Sequence, residues 1–400
     1  MKFLRRIYEL NNKDSSFFSL LIKRIALVSI SIGLFSVIIS SFVLDGFKKE
    51  IKNKIYSFSG HYDVSSYSNG LSFKNSPLNL EVGIFRNYSN HEIINSVYPY
   101  ILNSALFQGN GKNIEGVIFK GIDKNYINNI KPFFDEFNES LDIESSILIS
   151  NDLSHKLGIY INDTITVFFP NDPPVFRKLK VKGIFSTGLE EIDNLVAFGD
   201  IQLSRKIYQW NEMNASGIHV FVNNYNDDVS SIDKLKTISN YDEYIQSTKS
   251  KYIQIFDWLS LLDKNVIIFF IIVVIVACFN MLSIVFIVIM EKTNLIGTLK
   301  SFGTRKKLIY SLFFKTALNL SIKGMIIGNL FSLIFYYFQK NYKIIKLDKI
   351  NYYLDFVPVD FNIYNILLIN IILLIMIVIS IYLPIFFIDR IRIINSIKFN

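Results

Sequence analysis

Four long stretches without Asp, Glu, Lys or Arg constrain this 400-residue chain more than any other feature. A helix that crosses the roughly 30 Å hydrocarbon layer of a membrane needs about 20 apolar residues. Three of the stretches reach that length, whereas the third along the chain is short, so its helix is expected to begin near Thr316 and to carry Lys323 inside. The stretches are 25–44, 265–290, 324–339 and 361–388.

A helix in the core of a soluble protein is the alternative for such a stretch. Residues 265–290 show no polar face, and a helix that is apolar all round lies in lipid or deep in a large core. Only 19% of the residues are charged and 50% are hydrophobic, against about 25% charged in a typical soluble domain. The sequence therefore predicts a membrane protein with four transmembrane α-helices.

Basic residues concentrate in segments 1–24, 291–315 and 389–400, which hold 15 Lys and Arg against 4 Asp and Glu. Lys and Arg near span ends stay on the cytoplasmic side, and four crossings place all three segments on one side. This predicts a multi-pass protein of the inner (cytoplasmic) membrane with both termini in the cytoplasm. The 340–360 loop is a mild exception to this charge rule, because it carries four lysines although it is predicted to lie on the outer side. The net charge of +8 thus reflects topology and not nucleic-acid binding.

The region between the first two spans is long enough for one or two folded domains. A capped short helix at 150–158, alternating strands at 164–168 and 179–185, and a proline-rich loop between these strands indicate an α+β domain with a protruding hairpin at 168–182. The predicted order is a cytoplasmic segment 1–24, span 25–44, a large periplasmic α+β domain with stalk helices 45–264, span 265–290, a cytoplasmic coupling loop 291–315, span 316–339, a periplasmic loop 340–360, span 361–388 and a cytoplasmic tail 389–400.

Both ends of this domain carry helical apolar patterns. Residues at spacings of three and four share one face of a helix, and we interpret the two helices as extensions of the adjoining spans that form a stalk. Two ordinary amphipathic helices packed on the domain are the alternative. The first face comprises Phe47, Ile51, Ile55 and Phe58, and the second Tyr252, Ile255, Phe256, Leu259 and Leu262.

Sequence patterns for catalysis or metal binding are absent. No Gly-x-x-x-x-Gly-Lys-Ser/Thr loop occurs, so the chain is not expected to bind ATP in that way. The four histidines are scattered and are interpreted as ordinary surface or core residues, and the single cysteine, Cys278, excludes an internal disulfide or a cysteine-ligated zinc cluster. We expect a non-catalytic chain without a metal or cofactor of its own.

Two features of the spans concern their packing. Lys323 either lines a polar cavity or extends its side chain to the inner membrane surface, and its position one or two turns from the expected membrane edge favours the second interpretation. Small residues stand four apart at Ser29 and Gly33 and at Gly324 and Gly328. Such pairs allow close helix approach. We interpret them as sites of packing between helices of the same chain and not as dimerisation sites.

The loop after the second span contains the most informative short segment, residues 291–307. Apolar residues recur at helical spacing between Leu295 and Phe302, with charged residues opposite. This predicts a short amphipathic helix at the inner membrane surface. An interfacial helix anchored by lysines is one interpretation, and a docking helix for a cytoplasmic partner is the other.

Several segments resemble one family in the same order along the chain. Residues 291–303 resemble the loop of ABC permeases of the FtsX/MacB-like superfamily through Glu291-Lys292, Ile296-Gly297, Leu299-Lys300 and Gly303. Residues 44–50, 116–123, 183–188 and 356–359 resemble segments of lipoprotein-releasing permeases of the LolC/LolE type, although Asp45 stands where that type usually has Asn. The matches run from about residue 20 to the C-terminus.

The resemblance implies a permease subunit that pairs with a second permease subunit (itself or a paralogue) and with cytosolic ABC ATPase subunits, which bind ATP and Mg. ATP-driven motion would pass through the stalk and release lipoprotein cargo from the membrane to a periplasmic carrier. Pro173 and Pro174 would dock the carrier, with a plain loop turn as the equal alternative. The implied coupling residues are Glu291, Lys292, Ile296, Gly297, Leu299, Lys300 and Gly303, and the stalk or cargo-lining residues are Phe47, Ile51, Leu259 and Leu262.

Two other functions remain open from the sequence. A MacB-like exporter of small molecules or peptides would usually carry a fused ATPase domain, which is missing in this sequence. An FtsX-like regulator of a cell-wall hydrolase would usually have a smaller outer domain.

Overall fold

The structure is a computed structural model that describes residues 17–67, 76–109, 113–137, 145–223, 228–347 and 356–385. The described residues form two compact units. Within the described residues, the helical unit comprises 17–49, 258–347 and 356–385, and the α/β unit lies between Glu50 and Asp257. The predicted tail 389–400, most of segment 1–24 and the centre of the 340–360 loop lie outside the described residues.

Long helices build the helical unit, and short helices accompany the sheet of the α/β unit. Four helices are long and apolar enough to cross a membrane, which confirms the prediction of four spans; they are Phe17–Ser59, Ile253–Glu291, Lys306–Tyr342 and Ile363–Ile385. The α-helices are α1 (Phe17–Ser59), α2 (Ile84–Asn87), α3 (Ile127–Ile130), α4 (Asn151–Leu157), α5 (Glu190–Leu195), α6 (Ile201–Tyr208), α7 (Asp228–Ile238), α8 (Thr248–Lys251), α9 (Ile253–Glu291), α10 (Thr293–Ser301), α11 (Lys306–Tyr342) and α12 (Ile363–Ile385), with 3-10 helices at Tyr88–Asn90, Lys124–Tyr126 and Lys131–Phe133.

The helices that carry the spans are longer than their charge-free stretches. α11 begins at Lys306, ten residues before the expected start near Thr316, because no Gly or Pro interrupts the chain there. α1 continues to Ser59, and α9 begins at Ile253. Both continue past their spans without a break, as the predicted stalk extensions require.

Small residues allow the spans of the helical unit to pack closely. A Cβ added to Gly328 would lie 2.8 Å from the Ser31 carbonyl oxygen, and one added to Gly324 would lie 3.1 Å from Ile30. Ser31 Oγ donates a hydrogen bond of 2.9 Å to the Gly324 carbonyl. The glycine pair of α11 therefore serves packing against α1 within the chain, as predicted.

The other small-residue pair packs α1 against α9. A Cβ added to Gly33 would lie 3.1 Å from Val273. Four residues earlier, Ser29 Oγ accepts a hydrogen bond of 2.6 Å from Asn280 Nδ2. This polar contact inside the spans satisfies two groups that lipid could not hydrogen-bond.

The α/β unit is built on a mixed sheet. With the strands numbered in chain order as given below, nine strands of this sheet follow the order β12-β1-β11-β3-β4-β9-β6-β8-β5. A tenth, β7, pairs with β3 and β8, and β2 pairs separately with β10. This confirms the predicted α+β class. The strands are β1 (Tyr62–Ser66), β2 (Leu78–Asn79), β3 (Ile94–Gln108), β4 (Ile114–Ile122), β5 (Phe134–Phe137), β6 (Ser146–Ser150), β7 (Thr164–Phe169), β8 (Val175–Phe185), β9 (Val196–Asp200), β10 (Asn214–Ala215), β11 (Gly217–Val222) and β12 (Glu243–Ser247).

The local predictions in this unit are confirmed, because short-range chemistry decides them. Ser150 caps α4 by accepting a hydrogen bond from Leu153 N, and Gly158 ends the helix in the left-handed conformation. β7 and β8 form the predicted antiparallel hairpin. Alternate side chains of these strands, including Val167 and Val181, are buried in the apolar core on one face of the sheet.

Candidate coupling and docking sites

Helix α10 packs against the rest of the helical unit through its apolar face. Ile296 is 0% exposed and Leu299 is 8% exposed. Both belong to an apolar cluster that includes Ile309 and Phe313 of α11. The face that the sequence predicted to lie on the membrane surface therefore fixes α10 to the core of the helical unit.

The opposite side of α10 is open. Asn294, Thr298 and Ser301 are exposed, and Phe302, just beyond the helix, is 81% exposed. Gly303 has a φ of 73°, a left-handed conformation that glycine adopts without strain. Because the chain leaves the helical path at this point, Phe302 does not join the apolar face on which the sequence pattern placed it.

The predicted coupling residues divide into buried and accessible members. Lys292 is 5% exposed, with its Nζ 3.9 Å from Glu291 Oε1, and Lys300 is half-buried. The buried members position the helix, and they are Lys292, Ile296, Gly297 and Leu299. Glu291 and Gly303 are the exposed members of the motif, and the accessible surface also includes four residues that the motif does not identify, namely Asn294, Thr298, Ser301 and Phe302.

Two motif segments, 44–50 and 356–359, meet in the helical unit. A Cβ added to Gly46 would lie 2.6 Å from the carbonyl carbon and oxygen of Pro358. Such a contact is shorter than any Cβ can tolerate, so glycine is required where the two backbones cross. Asp360 N also donates a hydrogen bond of 3.0 Å to the Phe42 carbonyl.

Polar side chains connect the same helix ends. Asn365 Nδ2 of α12 donates a hydrogen bond of 2.9 Å to Asp45 Oδ2 of α1. Lys49 Nζ lies 2.9 Å from Asp360 Oδ1. Asp45 therefore acts as the acceptor that joins α1 to α12, a role that the amide oxygen of Asn would also fill.

The predicted stalk face of α1 continues into contacts with α9 in the helical unit. The rings of Phe47 and Trp258 meet edge to face with 5.9 Å between centroids. Lys48 Nζ lies 2.6 Å from Asp263 Oδ2. Leu259 is buried, so it serves packing and does not line an open surface, and Leu262 is half-buried.

The remaining stalk residues belong to the α/β unit. Ile51 and Ile55 pack with Ile255 and Phe256, as the two predicted faces require. Phe58 departs from the prediction, because it lies in a separate cluster beneath the sheet with Phe185, Phe198 and their neighbours. The last turn of α1 therefore packs on the sheet and not on the second stalk helix.

The β7–β8 hairpin carries the predicted docking prolines. Pro173 and Pro174 are exposed in the loop between the strands. Phe176 is exposed as well, and its ring lies 4.8 Å from that of Phe168. Asn171 Nδ2 donates a hydrogen bond of 3.2 Å to the Ile207 carbonyl. The hairpin thus presents an apolar tip on a loop that is fixed at its base.

Lys323 lines a cavity of about 290 Å³ in the helical unit together with Lys23, Thr316 and Asn319. The rest of the lining is apolar, with residues such as Val285, Phe313 and Leu320. That the side chain of Lys323 extends to the inner membrane surface stays a prediction.

Two family models match the chain in sequence order. The MacB-like periplasmic core domain matches residues 25–233, more than half of the chain, and the FtsX-like permease C-terminal model matches residues 267–393. The chain belongs to the FtsX/MacB-like permease family. This confirms the resemblance that the motifs indicated.

Relatives of this permease match it over most of their length. A lipoprotein-releasing system transmembrane protein LolC of Buchnera aphidicola subsp. Schizaphis graminum is 25% identical over 379 residues, which cover 91% of this chain and 90% of that protein. A lipoprotein-releasing system transmembrane protein LolE of Haemophilus influenzae is 21% identical over 327 residues, 77% of this chain and 76% of its own. The periplasmic region of MacB from Actinobacillus actinomycetemcomitans aligns with 48% of this chain and 91% of its own, with a TM-score of 0.35 and 13% identity.

Two further motif segments of the permease have structural explanations. A Cβ added to Gly121 would lie 2.3 Å from Ser204 Oγ, where α6 crosses β4. Gly188 has a φ of 73°, and its N–H and that of Thr187 donate to the Asp193 carboxylate. In the described part of the chain, no three His, Cys, Asp or Glu side chains lie together in an arrangement that could hold a metal ion.

Proposed function

We propose that this permease is the membrane subunit of an ABC transporter that releases lipoproteins from the inner membrane to a periplasmic carrier. The observation that carries the proposal is the match to relatives named as lipoprotein-releasing system transmembrane proteins, which spans 91% of this chain in one case. Fold and motif order alone are shared with permeases of other function. A match over nearly the whole length includes the outer domain, where cargo and carrier would bind.

The proposal includes an orientation with both termini and α10 in the cytoplasm and the α/β unit in the periplasm. The excess of Lys and Arg in segments 1–24 and 291–315 supports it. Pro173→Cys and Thr298→Cys place thiols on exposed positions of the hairpin and of α10. A membrane-impermeant maleimide added to intact spheroplasts should label the first variant and spare the second, and the reverse pattern would overturn the orientation.

ATP hydrolysis is assigned to a separate cytosolic ATPase, and α10 is its docking element. The accessible side of α10, with Phe302 at its end, supplies an exposed aromatic residue of the kind that dominates protein interfaces. The buried side packs into the cluster with Ile309 and Phe313. Force on the exposed side would therefore pass directly to the spans.

Lipoprotein release needs this force because each CH₂ group of an acyl chain contributes about 0.8 kcal/mol to membrane binding. The ends of the spans are tied by the Gly46–Pro358 crossing, the Asp45–Asn365 hydrogen bond and the Lys48–Asp263 ion pair. We infer that these contacts carry motion from the spans toward the outer domain. The exposed Pro173, Pro174 and Phe176 give a lipoprotein carrier an apolar docking surface.

Depletion of the permease in its host tests the function. Mature lipoproteins should then accumulate in the inner membrane fraction, and expression of the wild-type chain should restore their sorting. An integral protein without an acyl anchor serves as the fractionation control. Normal lipoprotein sorting, combined with loss of drug efflux or with co-purification of a cell-wall hydrolase, would replace the proposal by one of the two alternatives.

A further inference from the structure

A cavity of about 470 Å³ lies on one face of the sheet in the α/β unit. Its volume falls within the roughly 300–1,000 Å³ of typical ligand pockets. Leu102, Lys120 and Phe198 stand side by side in register on β3, β4 and β9. Directly opposed side chains point to the same face of a sheet, so the strands place a lysine between two apolar residues in the cavity wall.

The polar end of the cavity is a network around Asp63, which is 8% exposed. Its carboxylate accepts hydrogen bonds of 2.7 Å from the Tyr100 hydroxyl and of 2.7 Å from Lys251 Nζ. Lys251 also lines the cavity. Asp63 is therefore already paired, and its charge is balanced by Lys251.

Lys120 is the second lysine of the cavity, and it is not part of the Lys251–Asp63 ion pair. It is 9% exposed, its Nζ lies 4.8 Å from the centre of the Tyr100 ring, and the Phe58 carbonyl accepts its hydrogen bond at 3.3 Å. An ammonium group has three protons to donate, whereas Lys120 makes this one hydrogen bond among the described residues, and the centre of the Phe198 ring lies 5.8 Å from its Nζ. A buried cation with unused donors favours an anionic group in the adjoining space.

His219 is the second polar side chain of the cavity whose hydrogen-bonding capacity is unused. It lines the cavity, is 2% exposed and stacks on Tyr100 with 4.4 Å between ring centroids. Its Nδ1 lies 3.7 Å from Asp63 Oδ1, and neither ring nitrogen forms a hydrogen bond within the described residues. A neutral imidazole carries one N–H, and burial of that N–H without an acceptor is unfavourable, so an anion in the cavity would accept its hydrogen bond.

The remaining wall is apolar and open at one side. Ile118 and Leu195 are 38% and 47% exposed, and Phe198 is buried. We propose that this cavity binds a small amphipathic monoanion, a carboxylate on an apolar chain, with the carboxylate at Lys120 and His219. The apolar chain lies against Ile118, Leu195 and Phe198. This ligand is separate from the lipoprotein cargo of the proposed function.

Protonation of Lys120 gives the site a pH signature. Burial lowers the pKa of Lys120 to about 7, and a bound anion raises it again. Burial holds the pKa of His219 well below, and that of Tyr100 well above, their ordinary values. Burial opposes the charge of Lys251, yet Asp63 raises the pKa of Lys251. Between pH 8 and pH 6 the change in charge at the site therefore comes from Lys120, and the anion should bind more tightly at pH 6.

The experiment uses the full chain in nanodiscs and octanoate with a terminal diazirine. After irradiation, mass spectrometry should find the label within residues 114–122 or 192–198, with more label at pH 6 than at pH 8 and competition by unlabelled octanoate. Lys120→Met should reduce this label on the order of tenfold or more, since hydrogen bonds to charged groups contribute about 1.5–3 kcal/mol. Lys178→Met, an exposed lysine on β8, is the matched control and should retain it.

Leu195→Trp is a second variant, because it fills the mouth of the cavity at a half-exposed position and leaves the buried network intact. The Leu195→Trp variant should also lose the label, so it tests the cavity even if Lys120→Met does not fold. The matching diazirine of octanol has the same chain without the charge and should label the spans alone. Equal labelling of the two segments by the alcohol, or undiminished labelling in Leu195→Trp, would overturn the proposal.

Discussion

Replacing Phe302 with alanine should weaken binding of the cytosolic ATPase by roughly eight- to sixty-fold and leave the permease fold unchanged. Full burial of a Phe side chain contributes roughly 1.5–3 kcal/mol. Phe302 is 81% exposed in this chain, so about 1.2–2.4 kcal/mol remains available to a partner, which converts to that change in Kd. The Phe302 side chain makes few contacts with the rest of the permease, so its removal should have little effect on the fold.

Ile296→Ala is the contrasting change on the same element. Ile296 is 0% exposed and packs in the core of the helical unit. Removal of such a buried side chain costs about 2–5 kcal/mol of stability. This variant should lower the Tm of the permease, and it should weaken ATPase binding only as far as α10 loses its position.

Binding is measured by titrating the purified ATPase onto immobilised permease in nanodiscs, and Tm by intrinsic fluorescence. Phe279→Ala is the matched control, because Phe279 is equally aromatic and 65% exposed but lies within α9, where a cytosolic protein does not reach. An unchanged Kd for Phe302→Ala, or an equal loss for Phe279→Ala, would refute the assignment of α10 as the docking element.

Three further predictions concern stability. Gly328→Leu should lower the Tm in detergent, since overpacking costs about 1–3 kcal/mol, whereas Leu330→Ile at an exposed position of the same helix should not. Lys48→Asp should reduce stability by about 1 kcal/mol or less, and the added change Asp263→Lys should restore it in denaturant titrations. Because burial lowers the pKa of Lys120 from 10.5 to about 7, the unfolded chain binds the extra proton between these values. Stability should therefore rise with pH across that window by at most about 1.4 kcal/mol per pH unit, and Lys120→Met should flatten the rise in Tm.

The sequence predicts those parts of the fold that depend on composition and short-range pattern. Charge-free length reveals the four spans, and caps and alternation reveal α4 and the β7–β8 hairpin. Charge-free length places the start of α11 too late, because lysines such as Lys315 do not end a helix. Helical spacing also misplaces Phe302, because the helix ends at Ser301 and the spacing has no meaning beyond it.

Contacts between segments that are distant along the chain cannot be predicted from local sequence patterns. Resemblance identifies the 44–50 and 356–359 segments separately, but only the structure shows that Gly46 is a glycine because Pro358 crosses it. The network around Asp63 joins it to Lys251, 188 residues away. The sequence predicts an ordinary surface or core histidine at position 219. In the structure, both ring nitrogens of His219 lack a hydrogen bond within the described residues, and His219 lines the same cavity as Lys120.

The contacts among the spans differ in how strongly they resist displacement, which indicates where the helical unit can change its arrangement. α11 packs on α1 at backbone distance, with the Ser31 hydroxyl bonded to the Gly324 carbonyl, and dense packing of this kind resists gradual sliding. At the ends of α1 and α9 the polar contact is the Lys48–Asp263 pair, whose side chains are 21% and 43% exposed, and ion pairs of this kind contribute about 0–1 kcal/mol. Beside the Phe47–Trp258 ring contact, this ion pair therefore resists separation of α9 from α1 less than the close backbone packing resists separation of α11 from α1. A release cycle driven through α10 would use that contact, so Lys48 variants should alter ATP-coupled release while ATPase binding at Phe302 is retained.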